Sequence, residues 1–234
     1  MTNFTPKKLD EFLISDDASR TVLEMVMTGT YPFPVEERAI LLHGIPGTGK
    51  TTLACALPAM LEASGKLMQC TRTAGPASTL FGNTDLYHFT SCDSSQGVIT
   101  TIKEIKSRNA NDAFAAPSGW HYEILDEVDA LKSEGQTNLK SVISRAQYTI
   151  FILTCNDIQD LNPALVDRSI LIEMNQGSID QYVATGKRML QSMQLTGDEI
   201  PEATLKQLAI SSRGSMRKFA PFVRMHGLQH GGVV

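Results

Sequence analysis

Short apolar runs recur along the chain, with helical patterns of polar and apolar positions between them. Ala39–His43 (AILLH) reads as a strand, and so do Asp85–Cys92, Tyr122–Leu125, Tyr148–Thr154 and Ser169–Met174. Thr51–Ser64 sets Leu53, Leu57, Met60 and Leu61 on one helical face and stops at Gly65. Pro58 lies inside that pattern and predicts a kink or a loss of stability, because it has no amide hydrogen to give the helix. Gly97–Arg108, with Val98, Ile102 and Ile105 on one side, and Ser133–Ala146 read as further helices. Strands that are nearly unbroken apolar stretches, alternating with helices, predict an α/β fold around a five-stranded parallel sheet covered on both faces. After Asn175 the strand signals stop, and Ile179–Met193, Glu202–Ser212 and Ser215–His226 read as three short helices. Cys70–Asn83 and Asn109–Ser118 show no period and read as loops.

Charge sharpens this division. The 234 residues carry a net charge of −4, yet positions 176–234 hold seven Lys and Arg against four Asp and Glu. That segment is therefore +3 and the remainder −7, which predicts an α/β domain over 1–175 and a small helical domain over 176–234. An acidic total argues against a protein that binds DNA with its whole surface, but leaves room for a local basic strip. No apolar run approaches the roughly 20 residues a membrane span needs. Met1–Asp10 is polar and holds no apolar signal core, so the expectation is a soluble, cytoplasmic protein with no membrane partner. Cys55, Cys70, Cys92 and Cys155 form no CxxC pair and read as buried, reduced thiols.

The chemistry concentrates at strand ends. Gly44-Ile45-Pro46-Gly47-Thr48-Gly49-Lys50-Thr51 matches G-x-x-x-x-G-K-[ST] between a strand and a helix, the context a P-loop requires. Glycines let the loop turn its amides inward onto phosphate oxygens, and the following helix adds its positive end. The nucleotide-binding set is Gly44, Pro46, Gly47, Thr48, Gly49, Lys50, Thr51 and Thr52. Lys50 reaches the β- and γ-phosphates of ATP, and Thr51 offers its hydroxyl to Mg²⁺. Asp126 and Glu127 follow the third strand, where ligands bind in a parallel sheet. Asp126 is placed to hold the Mg²⁺ shell and Glu127 to polarise the attacking water. Asn156, directly after the fourth strand, is placed to orient that water or contact the γ-phosphate. Arg168 and Arg217 are candidates for the positive charge that a breaking phosphate bond demands.

Taken in order, the P-loop, the Asp126-Glu127 strand, Thr154-Cys155-Asn156, Pro163-Ala164-Leu165 with Arg168, and Gly214-Ser215-Met216-Arg217 resemble the AAA+ ATPase subunits of DNA polymerase clamp loaders. The phage and archaeal–eukaryotic small-subunit types are nearest. Thr5-Pro6-Lys7-Lys8-Leu9-Asp10-Glu11-Phe12 is similar to the adenine-side box of that family, and Gln136–Lys140 to the helix after its Asp-Glu strand. The resemblance spans about Phe4 to Leu228. It implies that Asn156 is the first sensor, Arg217 a second sensor in a helical lid, and Arg168 an arginine finger acting on a neighbouring subunit. The triplet here is Asp167-Arg168-Ser169 where the family has Ser-Arg-Cys, and Phe4-Thr5-Pro6 stands where it has aromatic-Arg-Pro. The family's third, helical collar domain has no counterpart in the 234 residues. The resemblance further implies an oligomer of AAA+ subunits, a sliding clamp or other replication protein as partner, and primer–template DNA. Ser94, Ser95, Lys103, Lys106 and Arg108 are the candidate DNA contacts. The expected function is an ATP-driven motor acting on a replication protein on DNA. A helicase-loader or recombination-type ATPase, or a nucleotide-dependent binding switch, is the alternative.

Overall fold

A computed structural model describes residues 6–35, 37–67, 86–92, 105, 116–198 and 200–231. Five parallel strands, β1 (Ala39–His43), β2 (His88–Ser91), β3 (His121–Asp126), β4 (Thr149–Cys155) and β5 (Ser169–Glu173), form one sheet in the order β2-β3-β4-β1-β5. The expected α/β architecture and strand number are thus present, with bounds shifted by a residue or two. The exception is the second strand, expected from Asp85 and found only over four residues.

Alternation along each strand sends its side chains to opposite faces. Ile40, Leu42, Ile150, Ile152, Ile170 and Ile172 point to one face. There they meet α1 (Asp17–Thr28) and α2 (Lys50–Ser64) through Leu23, Val26, Leu53 and Leu57. Ala39, Leu41, Phe151 and Leu153 point to the other face and pack on α3 (Ser133–Arg145) through Leu139, Val142 and Ile143. Ile105, the one described residue of the expected 97–108 helix, is helical and buried in this second core. The edges depart from the expectation of full cover. His88 and Phe89 of β2 are exposed, and so is Leu171 of β5, since an edge strand has a neighbour on one side only.

Helix α1 was not expected from the pattern. Its Asp16 side chain accepts from Ser19 N–H at 2.7 Å, and Gly29 closes it in the left-handed conformation at φ 74°. Helix α2 runs through Pro58, which is buried. A short helix, α4 (Pro163–Val166), leads into β5.

Beyond the sheet, α5 (Ile179–Ser192), α6 (Glu202–Ser212) and α7 (Met216–Gln229) enclose a third core around Tyr182, Leu190, Leu205, Phe219 and Val223. Tyr182 and Phe219 meet edge to face with centroids 5.1 Å apart. Leu13, from the N-terminal segment, joins this core, while its neighbours Phe12 and Ile14 belong to the sheet core. Arg188 of α5 also donates to the Asp10 carbonyl at 2.7 Å. The N-terminal segment therefore stitches the three terminal helices to the sheet. Cys92 and Cys155 are buried free thiols and Cys55 is half-buried; Cys70 lies outside the described residues.

Candidate functional site

The site forms where β1 gives way to α2. Gly44 turns the chain at φ 131°, and a methyl group there would lie 2.6 Å from the Met174 carbonyl oxygen, so only glycine fits. Gly49 (φ 103°) starts α2 and leaves the first amides of the helix without intrahelical partners. Lys50 is buried and donates to the carbonyls of Gly44 at 2.7 Å and Ile45 at 2.9 Å, and to Asn156 Oδ1 at 3.1 Å. Loss of hydration pushes its pKa down, against the pull of the negative groups around it, Asp129, Asp126 and Glu127 among them.

The strand ends meet this loop from the side. Thr51 Oγ1 donates to the Asp126 carboxylate at 2.9 Å. Thr154 Oγ1 donates to the same carboxylate at 2.6 Å and accepts from Glu127 N–H at 2.9 Å. Glu127 itself sits in the left-handed region, at φ 59° and ψ 51°, which turns its side chain out of the sheet and into the cavity. A non-glycine residue held there costs on the order of 1–3 kcal/mol, and such positions gather at functional sites. Asn156 N–H donates to Asp129 Oδ2 at 2.9 Å. Cys155, at the end of β4, has its thiol pushed up to about 12 by burial and so stays neutral.

The terminal helices close the other side. Arg217 N–H donates to the Gly47 carbonyl at 3.2 Å, and a methyl on Gly47 would come within 2.5 Å of Ser215 Oγ. Asn175 Oδ1 accepts from Ile45 N–H at 3.1 Å, while its amide donates to Glu173. The P-loop is thus held between the segment leaving β5 and the start of α7.

These elements enclose a cavity of about 340 Å³. It is lined by Pro46–Thr52, Glu127, Asn156 and Arg217, and also by Phe12, Leu13, Met189 and Ala220. A glycine-rich loop at a helix start together with a lysine suits phosphates, and apolar side chains in the same lining suit a flat ring. Pro6, Glu11 and Phe12 of the N-terminal box do lie along it. Among the described residues, no group of three His, Cys, Asp or Glu side chains could hold a metal alone. Thr51 and Asp126 fit Mg²⁺, which is held by one or two protein oxygens together with phosphate and water.

Of the expected site residues, the structure brings together the P-loop set, Asp126, Glu127, Asn156 and Arg217. Arg168 stands apart, donating to Ser144 Oγ at 2.9 Å and the Ala164 carbonyl at 2.8 Å. Ser94, Ser95, Lys103, Lys106 and Arg108 lie outside the described residues. The sequence reading assigned no role to Thr154, Asp129 or Asn175. Asp129 follows Glu127 by two positions, but its partner Asn156 is 27 residues away, and only folding pairs them.

Residues 40–176 match the model of the AAA family, described as ATPases associated with various cellular activities. The chain is similar to replication factor C small subunit 2 of Pyrobaculum islandicum, 26% identical over 92% of this chain and 59% of that protein. It is likewise similar to replication factor C subunit 3 of Blastobotrys adeninivorans, 26% identical over 92% and 56%. It thus spans less than three-fifths of the length of these relatives. In fold it is similar to the Thermotoga maritima RuvB Holliday junction branch migration motor, with a TM-score of 0.66, 20% identity and 94% and 64% of the two chains covered. Domain III of the replication initiation protein DnaA of the same organism gives 0.59 and 16%, covering 100% and 94%.

Proposed function

Because the chain belongs to the AAA ATPase family and is an ATP-hydrolysing P-loop enzyme, we propose that it works as a clamp-loader-like motor whose catalytic parts are the residues gathered in this one cavity. The observation that carries the reading is the meeting of Lys50, Thr51, Asp126, Glu127, Asn156 and Arg217 from three strand ends and a distant helix. The amides of Pro46–Thr52 cradle the phosphates and Lys50 leaves its carbonyl partners for the β- and γ-oxygens. The Thr51 hydroxyl and Asp126 would hold Mg²⁺, which would supply positive charge against the phosphates. Glu127 accepts a proton from the water that attacks the γ-phosphorus, and Asn156 orients that water. Arg217 places its charge on the γ-phosphate from α7, and the base stacks between the N-terminal segment and Met189. Residues 1–175 serve as the ATPase domain and 176–234 as its lid.

The likeness to replication factor C subunits over most of this chain supports action within a ring of AAA+ subunits. The partner is a sliding clamp or another replication protein, on primer–template DNA. The test pairs two variants, Lys50→Ala and Glu127→Gln. Lys50→Ala is expected to lose tight ATP binding, and Glu127→Gln to keep binding while turnover falls by on the order of 100-fold or more. Binding is read by titration with a fluorescent ATP analogue and turnover by phosphate release, with and without primer–template DNA. Wild-type turnover in Glu127→Gln would remove Glu127 from the mechanism. DNA-independent turnover and no assembly in ATP would favour a nucleotide switch over a motor.

A further inference from the structure

Two side chains cross between β3 and β4 in opposite directions. Thr154, on β4, holds the backbone of Glu127 through the 2.9 Å bond from Glu127 N–H to its hydroxyl. Asp129, after β3, holds the backbone of Asn156 through the 2.9 Å bond from Asn156 N–H to Oδ2. The two residues that handle the attacking water are therefore each fixed by a side chain from the other's strand end. Asp129 lines no part of the cavity. It is set by a 3-10 turn, Val128–Ala130, whose Val128 is fully buried and whose Ala130 N–H returns to the Glu127 carbonyl at 3.0 Å. Among the described residues, the Asp129 Oδ1 atom is buried without a hydrogen-bond partner, and a buried polar atom left unpaired calls for an explanation.

We propose that Asp129 is a positioning residue for hydrolysis, fixing the Asn156 amide at the distance from Glu127 that the attacking water requires. The inference rests on Asn156 acting in turnover. A carboxylate accepting a backbone N–H forms a charge-assisted bond, stronger and shorter than the neutral equivalent. It also fixes where the Asn156 side chain stands, since that side chain accepts from Lys50 only 3.1 Å away. A misplacement of about 1 Å at a reacting centre costs on the order of 100-fold in rate.

The experiment is a double-mutant cycle of Asp129→Asn and Asn156→Ala, read as kcat and KM for ATP, with nucleotide affinity and melting temperature for each protein. Asp129→Asn is expected to lower kcat by about tenfold or more with KM and affinity within twofold of wild type. The double variant is expected to be no slower than Asn156→Ala alone. In ¹⁵N-labelled protein, the Asn156 amide proton is expected to shift upfield in Asp129→Asn, as a charged acceptor is lost. If the two effects multiply, or kcat of Asp129→Asn stays at wild type, the proposal is overturned. An unmoved Asn156 amide signal overturns it as well. Should Asp129→Asn fail to fold, Asp129→Ser, which keeps an acceptor oxygen without the charge, takes its place in the same cycle. An unchanged kcat in Asn156→Ala would instead overturn the role of Asn156 itself, and is read separately.

Discussion

Thr154 is a single hydroxyl on which two acidic residues depend. It donates to Asp126 at 2.6 Å and accepts from the Glu127 amide at 2.9 Å, while Thr51 brings a second hydroxyl to the same carboxylate. The Asp126 side chain is thereby oriented before any cation arrives, and the left-handed turn at Glu127 is held against its strain. Thr154→Val keeps the shape and the β-branch that suits a strand, but removes both hydrogen bonds. It leaves the Glu127 N–H unpaired in a partly buried position. The expected cost is about 1–3 kcal/mol of unfolding free energy, measured by urea denaturation with an unchanged slope. Turnover is expected to fall with it, because the Glu127 turn loses its tie. A stability within about 0.5 kcal/mol of wild type, the scatter of ordinary surface changes, would show that the turn is held by other means.

At the scale of elements, the P-loop is wedged between two others. A side chain at Gly44 would strike Met174 and Asn175 behind β5, and one at Gly47 would strike Ser215 before α7. Gly214 is packed just as tightly against Gln176, so the segment leaving β5 and the loop before α7 also touch each other. A P-loop that reshapes around a nucleotide must push on both, and Arg217, in the role proposed for it, would give the γ-phosphate its own grip on α7. The expected outcome is a radius of gyration that differs between ADP and a non-hydrolysable ATP analogue, measured by solution scattering. Arg217→Ala is expected to lose that difference and still bind ADP. The same change in Arg217→Ala as in wild type would remove α7 from the coupling. Much of this architecture was legible in the chain. β1, β4 and β5 are short apolar runs, and Gly44–Thr51 announces its own strand–loop–helix setting. Helix α1 was not legible, because only Ser19, Leu23 and Val26 of its twelve residues are buried, too few to fix a period. Its caps, Asp16 and Gly29, were the available signal. The ties through Thr154, Asp129 and Asn175 join residues 27, 28 and 130 positions apart, and no local pattern encodes them.

The whole molecule places Arg168 where it cannot serve its own site. β1 and β5 run parallel with Ala39 opposite Ser169 and His43 opposite Glu173. Gly44 follows one end of that pair and Arg168 precedes the other. Five strand residues separate the two ends, about 15 Å along the sheet, and the Arg168 guanidinium is tied down at its own end by Ser144 and the Ala164 carbonyl. An arginine that acts on a γ-phosphate is worth about 10³-fold or more in rate. If Arg168 supplies that effect, it does so to a second copy or a companion subunit, and hydrolysis then depends on assembly. Specific activity is expected to rise with protein concentration, or with an added subunit or DNA. Arg168→Ala is expected to bind ATP normally and turn over at a small fraction of the wild-type rate. Lys50→Ala is expected to be inactive because its own site is empty of nucleotide, yet its Arg168 is intact. Mixing the two inactive proteins lets an Arg168 from one complete a P-loop from the other, so part of the activity is expected to return. The measurement is phosphate release across mixing ratios, with co-assembly followed by native mass spectrometry. A mixture that assembles and stays inactive, or a strict monomer that hydrolyses ATP at the full rate, would take Arg168 out of catalysis and leave its bonds to Ser144 and Ala164 as its whole role.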